Sequence, residues 1–287
     1  MSESVSGWSE HRFIAFDKTP IFYRHLHSSA LKRATILILH GMGEHGGRYR
    51  ELCEFLSAKG VECYLPDLRG FGQSGGKRAC LRHFSDYFKD LDVIYRLARI
   101  SKNPTPFFTL GHSYGGLIVS SWQAASSERH FQGLILSSPN FGIAVHVPIW
   151  RHALAMAVSH VFPDYTQDNR VERDKLTHDK GIMQAYVKDP LNFRGISAGL
   201  YREMMVQLSQ VDEIAAKIDS PALVLQAGED RVVSRAATER FYQKLASKDK
   251  TFQVYEGLYH EILNEAERPA IFTRISDWIL THCNTSP

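Results

Sequence analysis

Cysteine is scarce: the 287 residues hold four, Cys53, Cys63, Cys80 and Cys283, with no C-x-x-C spacing. A chain of roughly this length buries about three quarters of its unfolded surface and needs no staples, so the thiols are expected to be free, in a reducing compartment. There is no block of five or more basic residues and no basic stripe interleaved with aromatics. Lys plus Arg number 34 against 31 Asp plus Glu, a net charge of +3, and nucleic acid is therefore not an expected partner. Residues 1–18 carry Glu3, Glu10, His11 and Arg12 but no apolar run, which argues against a secretory leader and for a cytoplasmic protein. No repeat and no low-complexity tract is found. The hydrophobic and charged fractions, 44% and 23%, are ordinary globular usage, so disordered and fibrous classes are excluded.

What is present is an alternation of short apolar runs with helical patterns, the signature of parallel strands joined by crossover helices. The strand candidates are 35–39, 61–65, 106–110, 133–136, 222–226 and 251–255. Segments 12–16 and 21–25 flank the turn Asp17-Lys18-Thr19-Pro20 and add an antiparallel edge hairpin, for eight strands in all. Helices are expected at 48–59, 85–101, 114–127, 234–246 and 269–282. The rhythm breaks between Pro139 and Ser220, a gap far longer than the usual βα connection of about 2–6 residues. The expectation is an α/β core formed by 1–139 and 221–287, with a helical cap inserted at 140–220.

The pattern G-x-S-x-G occurs twice, at Gly111-His112-Ser113-Tyr114-Gly115 and at Gly72-Gln73-Ser74-Gly75-Gly76. A nucleophile elbow needs a buried strand, a sharp turn and then a helix, because that geometry lifts the serine Oγ clear of the sheet. Phe107-Phe108-Thr109-Leu110 leads into Ser113 and Leu117-Ile118-Val119 follows it, whereas turn residues flank Ser74 on both sides. Ser113 is the nucleophile candidate and Ser74 a loop serine. The glycines 70, 72 and 75 also match a dinucleotide fingerprint formally, but Lys77–Arg82 stand where its helix should open.

A serine hydroxyl becomes nucleophilic when a base takes its proton and a carboxylate holds that base in one tautomer. In α/β-hydrolases the acid follows the serine and the histidine comes last. The strand Leu223-Val224-Leu225-Gln226 runs into Gly228-Glu229-Asp230, which offers two acids. Neighbours in an extended segment point oppositely, so one of the two can face the base; Asp230 is favoured, with Glu229 as its rival. His260, after the turn that ends the last strand, is the candidate base. His282 is read as a solvated helix end and His112 as a packing residue pointing away from Oγ. The oxyanion would be held by two N–H groups, that of Tyr114 after the nucleophile and that of Met42 in His40-Gly41-Met42-Gly43. This chemistry requires neither metal nor cofactor.

Together, His40-Gly41-Met42-Gly43-Glu44-His45-Gly46-Gly47-Arg48-Tyr49, Asp67-Leu68-Arg69-Gly70-Phe71-Gly72-Gln73-Ser74, the Ser113 elbow with Gly116, and Tyr255-Glu256-Gly257-Leu258-Tyr259-His260-Glu261 resemble the monoacylglycerol lipase and lysophospholipase branch of the α/β-hydrolases. The likeness spans about Thr35 to His282. It implies the α/β-hydrolase fold, a triad of Ser113, Asp230 and His260, an oxyanion hole at Met42 and Tyr114, and hydrolysis of a lipid-like monoester, foremost a monoacylglycerol. Lysophospholipase or short-chain esterase activity is the alternative; a receptor that kept the pocket is the alternative outside enzymes. Tyr114 departs from the methionine frequent in the family, and its bulk bears on the acyl pocket. Glu44 and Arg48 flank the expected oxyanion loop, where Glu44 either orients a polar head group or supports the loop, the alternative being a surface ion pair with Arg48.

Between residues 141 and 163 the sole formally charged residue is Arg151, and Trp150, Leu154, Ala157 and Val161 recur on one helical face. A span needs about 20 apolar residues, and Pro148, Arg151 and histidines 146, 152 and 160 interrupt this stretch. The expectation is a face that either packs on the core or rests on lipid, with Trp150 and Leu154 touching substrate and residues 164–180 as a solvated rim.

Overall fold

The computed structural model describes residues 7–100, 105–125, 128–144, 148–169 and 171–283. The expected helix ends at Ser101 and Ser127, and His146, lie outside the described residues. The strands are β1 (Trp8–Ile14), β2 (Pro20–Leu26), β3 (Ala34–Leu39), β4 (Val61–Pro66), β5 (Phe107–His112), β6 (Gly133–Ser137), then β7 (Thr166–Asp168), β8 (Gly195–Ser197), β9 (Ala222–Ala227) and β10 (Lys250–Tyr255). Eight of them form one sheet in the order β1-β2-β4-β3-β5-β6-β9-β10. Only the pairings β1–β2 and β2–β4 are antiparallel. Strands β3 to β6 and β9 are buried at every position, as continuous apolar runs under helices on both faces must be.

The helices are α1 (Arg50–Ser57), α2 (Ser85–Arg99), α3 (Tyr114–Ala124), α4 (Ile149–Val161), α5 (Lys180–Lys188), α6 (Ala198–Ser209), α7 (Val211–Ala215), α8 (Arg235–Lys244) and α9 (Arg268–His282). Two apolar cores result. One holds Tyr87, Tyr114, Trp122 and Phe241, the other Phe108, Leu223, Ile275 and Trp278 on the opposite face of the sheet. This is the α/β-hydrolase fold.

The edge hairpin forms with its first strand nearer the N-terminus than the expected 12–16. The Ala15 N–H bonds Thr19 O at 2.8 Å and Lys18 takes a φ of 68°, so the turn claims Ala15 and Phe16. Between β6 and β9 the chain builds α4 to α7, as expected, but also a short antiparallel ribbon of β7 and β8. That ribbon carries no apolar alternation, and its hydrogen bonds arise from the tertiary docking of residues 163–169 beside 193–199. His282 corrects another expectation: it is buried, with Nδ1 2.7 Å from Trp278 O and Nε2 3.1 Å from Asp249 Oδ2. All four cysteines are free.

Phe108 lies fully buried on the central strand against Trp278, at a centroid distance of 5.9 Å. Phe108→Ala is expected to lower unfolding stability by about 3–5 kcal/mol, read from urea denaturation midpoints with an unchanged slope.

Candidate active site

The carboxyl ends of the parallel strands carry the site. Ser113 stands between β5 and α3 with φ 51° and ψ −120°, a conformation that strains a non-glycine residue by on the order of 1–3 kcal/mol. The two flanking glycines make the turn possible: a Cβ on Gly115 would collide with the carbonyl of Leu39, and one on Gly111 would sit 2.5 Å from Gly115 O. Tertiary packing therefore enforces the strain. Ser74, by contrast, is a buried loop residue whose hydroxyl donates to Asp67 O at 2.6 Å and accepts the Phe22 N–H at 2.9 Å.

After β9, Asp230 Oδ1 accepts the N–H groups of Val232 and Val233 at 2.9 and 3.0 Å. Its Oδ2 lies 2.8 Å from His260 Nδ1. Burial alone would raise the Asp230 carboxyl, but His260 and these N–H groups hold it below the usual carboxylate range. Burial likewise pulls the imidazole of His260 down, and the charge and hydrogen bond of Asp230 more than offset it, leaving His260 above its ordinary value. With Nδ1–H committed to Asp230, Nε2 is the atom left to accept a proton. Ser113 and His260 border one cavity of about 720 Å³. Among the described residues no hydrogen bond joins them, a looseness that resting hydrolase sites commonly show.

The loop that carries Met42 is braced from below. Glu44 Oε1 accepts the Gly41 N–H at 2.6 Å and the Tyr49 hydroxyl at 2.7 Å, and its Oε2 pairs with Arg48. Arg48 also binds Glu261 through two hydrogen bonds of 2.9 and 2.6 Å, and its guanidinium lies 4.7 Å from the centroid of the Tyr186 ring. Burial opposes ionisation of Glu44, but Arg48 foremost, helped by His112, brings its pKa down to about 2. The surface ion pair is excluded, since Glu44 is buried and the Arg48 side chain is only 10% exposed. Met42 and Tyr114 both border the cavity, and among the described residues neither N–H is spent on a carbonyl. The Tyr114 ring is fully buried, edge-on to Phe84 and Tyr87 at 6.2 and 6.0 Å, so its bulk fills the core beneath α3.

Several residues at the site carried no sequence signal. His112 is a packing residue, and what it packs on is the base: its ring centroid is 4.8 Å from that of His260. Burial, then the neighbouring His260, pull its pKa to about 4, so it stays neutral beside the base, its Nδ1 3.0 Å from Ser137 O. Asn140 donates its N–H to Ser113 O at 2.9 Å. Arg173 borders the cavity beside Tyr186, and among the described residues its guanidinium has no ion-pair partner. Asn140 and Arg173 arrive from separate segments, which spacing cannot reveal, whereas His112 ends β5 beside Ser113 and only its nearness to the His260 loop is hidden in the sequence.

Of the apolar face on α4, Trp150 is 60%, Leu154 57% and Val161 69% exposed, with Phe162 at 66% just beyond. Trp150 and Leu154 also border the cavity, so the face packs neither wholly on the core nor wholly away from the site. No described helix is long and apolar enough to cross a membrane.

Fold and site together define an α/β-hydrolase with a serine at its nucleophile elbow. The chain belongs to the family described as serine aminopeptidase, S33, which matches residues 30–267. It is similar to a monoacylglycerol lipase of Mycolicibacterium smegmatis, 30% identical over 96% of this chain and 98% of that one. It is also similar to phospholipase YtpA of Bacillus subtilis, 32% identical over 83% of this chain and 92% of the relative. Among solved structures, the monoacylglycerol lipase of Paleococcus ferrophilus superposes with a TM-score of 0.84 at 27% identity, covering 91% of this chain and 99% of the other.

Two outcomes follow. Glu44→Gln should lower kcat by at least tenfold and to the same extent on glycerol esters and p-nitrophenyl esters, because it acts through the loop; a loss confined to glycerol esters would reassign it to head-group binding. The base must be neutral to work, so kcat/KM should rise with pH through a midpoint above 6.5, and Asp230→Asn should move that midpoint down by removing the charge that favours the imidazolium.

Proposed function

We propose that the protein is a serine ester hydrolase that cleaves a monoacylglycerol to glycerol and fatty acid through an acyl-enzyme. The observation that carries this reading is one cavity that joins the strained Ser113 and the Asp230–His260 pair to an apolar chamber bordered by Trp150, Leu154, Val158 and Met204. Ser113 Oγ attacks the ester carbonyl as His260 Nε2 takes its proton. Negative charge on the tetrahedral oxygen meets the Met42 and Tyr114 N–H groups, each contributing on the order of 10²–10³ in rate. His260 then protonates the departing alcohol, and water repeats the sequence on the acyl-enzyme. The similar monoacylglycerol lipases support the substrate.

The family's description raises a peptidase reading, which would need a free carboxylate to hold a substrate amine. The carboxylates bordering the cavity are engaged: Glu44 and Glu261 by Arg48, and Asp168 by Arg194 at 3.2 Å. A lysophospholipid is favoured as the second substrate by one observation, the Arg173 guanidinium at the cavity wall, which has no carboxylate partner among the described residues, and by the similar Bacillus phospholipase.

The segment between β6 and β9 acts in this reading as a cap, and the exposed apolar face of α4 rests on a lipid surface, where a long-chain monoester enters without release into water. No residue of the triad depends on that contact.

Ser113→Ala and His260→Ala are each expected to reduce kcat by several orders of magnitude with the melting temperature retained, and Asp230→Asn by on the order of 10⁴. Rates on monoacylglycerols, lysophospholipids, p-nitrophenyl esters and aminoacyl anilides test the substrate; turnover of the anilides alone would overturn the esterase reading. For the cap, Trp150→Ser with Leu154→Ser should weaken liposome binding and long-chain turnover at least fivefold while sparing a soluble acetate ester. Equal loss on both esters with a lowered melting temperature would show that the face is core.

A further inference from the structure

Away from the cavity, three side chains with metal-ligating atoms converge at the antiparallel edge of the main sheet. His25 and His27 are two apart on one extended segment and so share a face. In the register of β2 with β4, His25 lies opposite Tyr64 and Leu26 opposite Cys63. One step further along the same ladder brings His27 beside Glu62, on that same face. Ligand atoms of His25, His27 and Glu62 all fall within 4.8 Å of one another. The His25 and His27 ring centroids are 4.1 Å apart, and His25 Nε2 is 2.6 Å from Glu62 Oε1.

We infer that His25, His27 and Glu62 form a binding site for a borderline divalent transition ion, with Zn²⁺ as the type case. Two imidazoles and one carboxylate are a donor set for zinc and disfavour Mg²⁺ and Ca²⁺, which take oxygen ligands. Bonds of about 2.0–2.2 Å to tetrahedral corners put ligand atoms about 3.3 Å apart. The present spacing brackets that value, so the His25–Glu62 contact opens by under about 1 Å while the exposed His27 swings in. Water fills the fourth position.

The surroundings supply the outer support that metal sites use. The His25 ring is stacked on Tyr64 at 4.2 Å, which fixes its plane. Lys32 Nζ holds Glu62 Oε2 at 2.8 Å, orienting the carboxylate with Oε1 toward the histidines, at some cost in affinity from its own charge. The Tyr64 hydroxyl, 3.3 Å from Glu62 Oε1, gives way to the ion.

The site would bolt β2 to β4, where the sheet is antiparallel. It has no route to catalysis. Glu62 pairs through Thr35 to Phe107, the first residue of β5, whereas Ser113 follows the last, about 20 Å away along the strand at 3.3 Å per residue.

The test uses the full chain, freed of metal by chelator and dialysis at pH 7.5. Calorimetric titration with ZnCl₂ should show one ion per chain, Co²⁺ should give the visible bands of four-coordinate cobalt, and Zn²⁺ at a hundredfold excess over Kd should raise the melting temperature by about 5 °C. His27→Ala, an exposed position, should weaken binding at least tenfold while leaving the metal-free melting temperature and esterase rate unchanged. Glu62→Gln should likewise weaken it. Binding of unchanged strength in His27→Ala overturns the site, as does the absence of binding below millimolar Zn²⁺. Loss of the cobalt bands on thiol alkylation also overturns it, since the ion would then sit on Cys80 or Cys283.

Discussion

Arg48 holds two carboxylates that come from opposite ends of the chain, and the relative placement of the Met42 loop and the His260 loop depends on it. Glu44 carries the first loop through the Gly41 N–H, and Glu261 directly follows His260 in the second. Three charges buried together cost several kcal/mol each to desolvate, and such a group is retained only where many hydrogen bonds satisfy it. Here they do: the guanidinium makes three charged hydrogen bonds, Tyr49 and Gly41 serve Glu44, and Asn264 Nδ2 donates to Glu261 at 2.9 Å. Removing one partner would strand a buried charge, about 3–5 kcal/mol. The network therefore contributes position more than stability, and position is what an oxyanion hole requires.

The same loops anchor the segment between β6 and β9. His45 accepts the Gly47 N–H at Nδ1, 3.1 Å away, which leaves its Nε2–H to donate to Asp189 Oδ2 at 2.9 Å. Phe193 donates its N–H to Gly43 O at 2.9 Å, and the Glu261 N–H bonds Leu176 O at 2.8 Å. The residues that roof the cavity are thus tied to the two loops that Arg48 joins. A displacement of the roof would be felt at the Met42 N–H before it reached Ser113, whose backbone is locked by glycine packing against Leu39.

The parallel strands were legible because burial on both faces leaves unbroken runs such as Ile36-Leu37-Ile38-Leu39, and the elbow because its glycines are dictated by backbone collision. The pairing of Asp230 with His260 followed from chain order together with the alternation of neighbours, and Glu229 indeed leaves its carboxylate outside that pair. What escaped was whatever depends on distant segments meeting. The ribbon of β7 and β8 has no periodicity to read in three residues a side. His282 ends α9 as expected, yet the solvent expected around it is displaced by Trp278 and Asp249. His112, adjacent to the nucleophile in sequence, packs against the His260 ring, and that contact is not legible because alternation says nothing of how near a neighbouring loop will come.

The apolar face of α4 shows where the two scales of the molecule meet. Inside, the cavity walls grade from a charged, hydrogen-bonded floor at Arg48 to an apolar chamber. Outside, Trp150 and Leu154 continue that chamber onto the surface while remaining more than half exposed. Scattered surface apolar residues need no explanation, but Trp150, Leu154, Val161 and Phe162 follow one another along α4 and its C-terminal end, and a run of large exposed apolar side chains of that kind marks a contact surface. An ester whose acyl chain lies along this gradient has its carbonyl delivered to the braced N–H groups and its alcohol toward His260 by the same apolar burial that draws the chain in. Binding energy from the chain then orients the reacting centre without any group having to recognise the carbonyl in the ground state, which is the division of labour that favours turnover over tight binding.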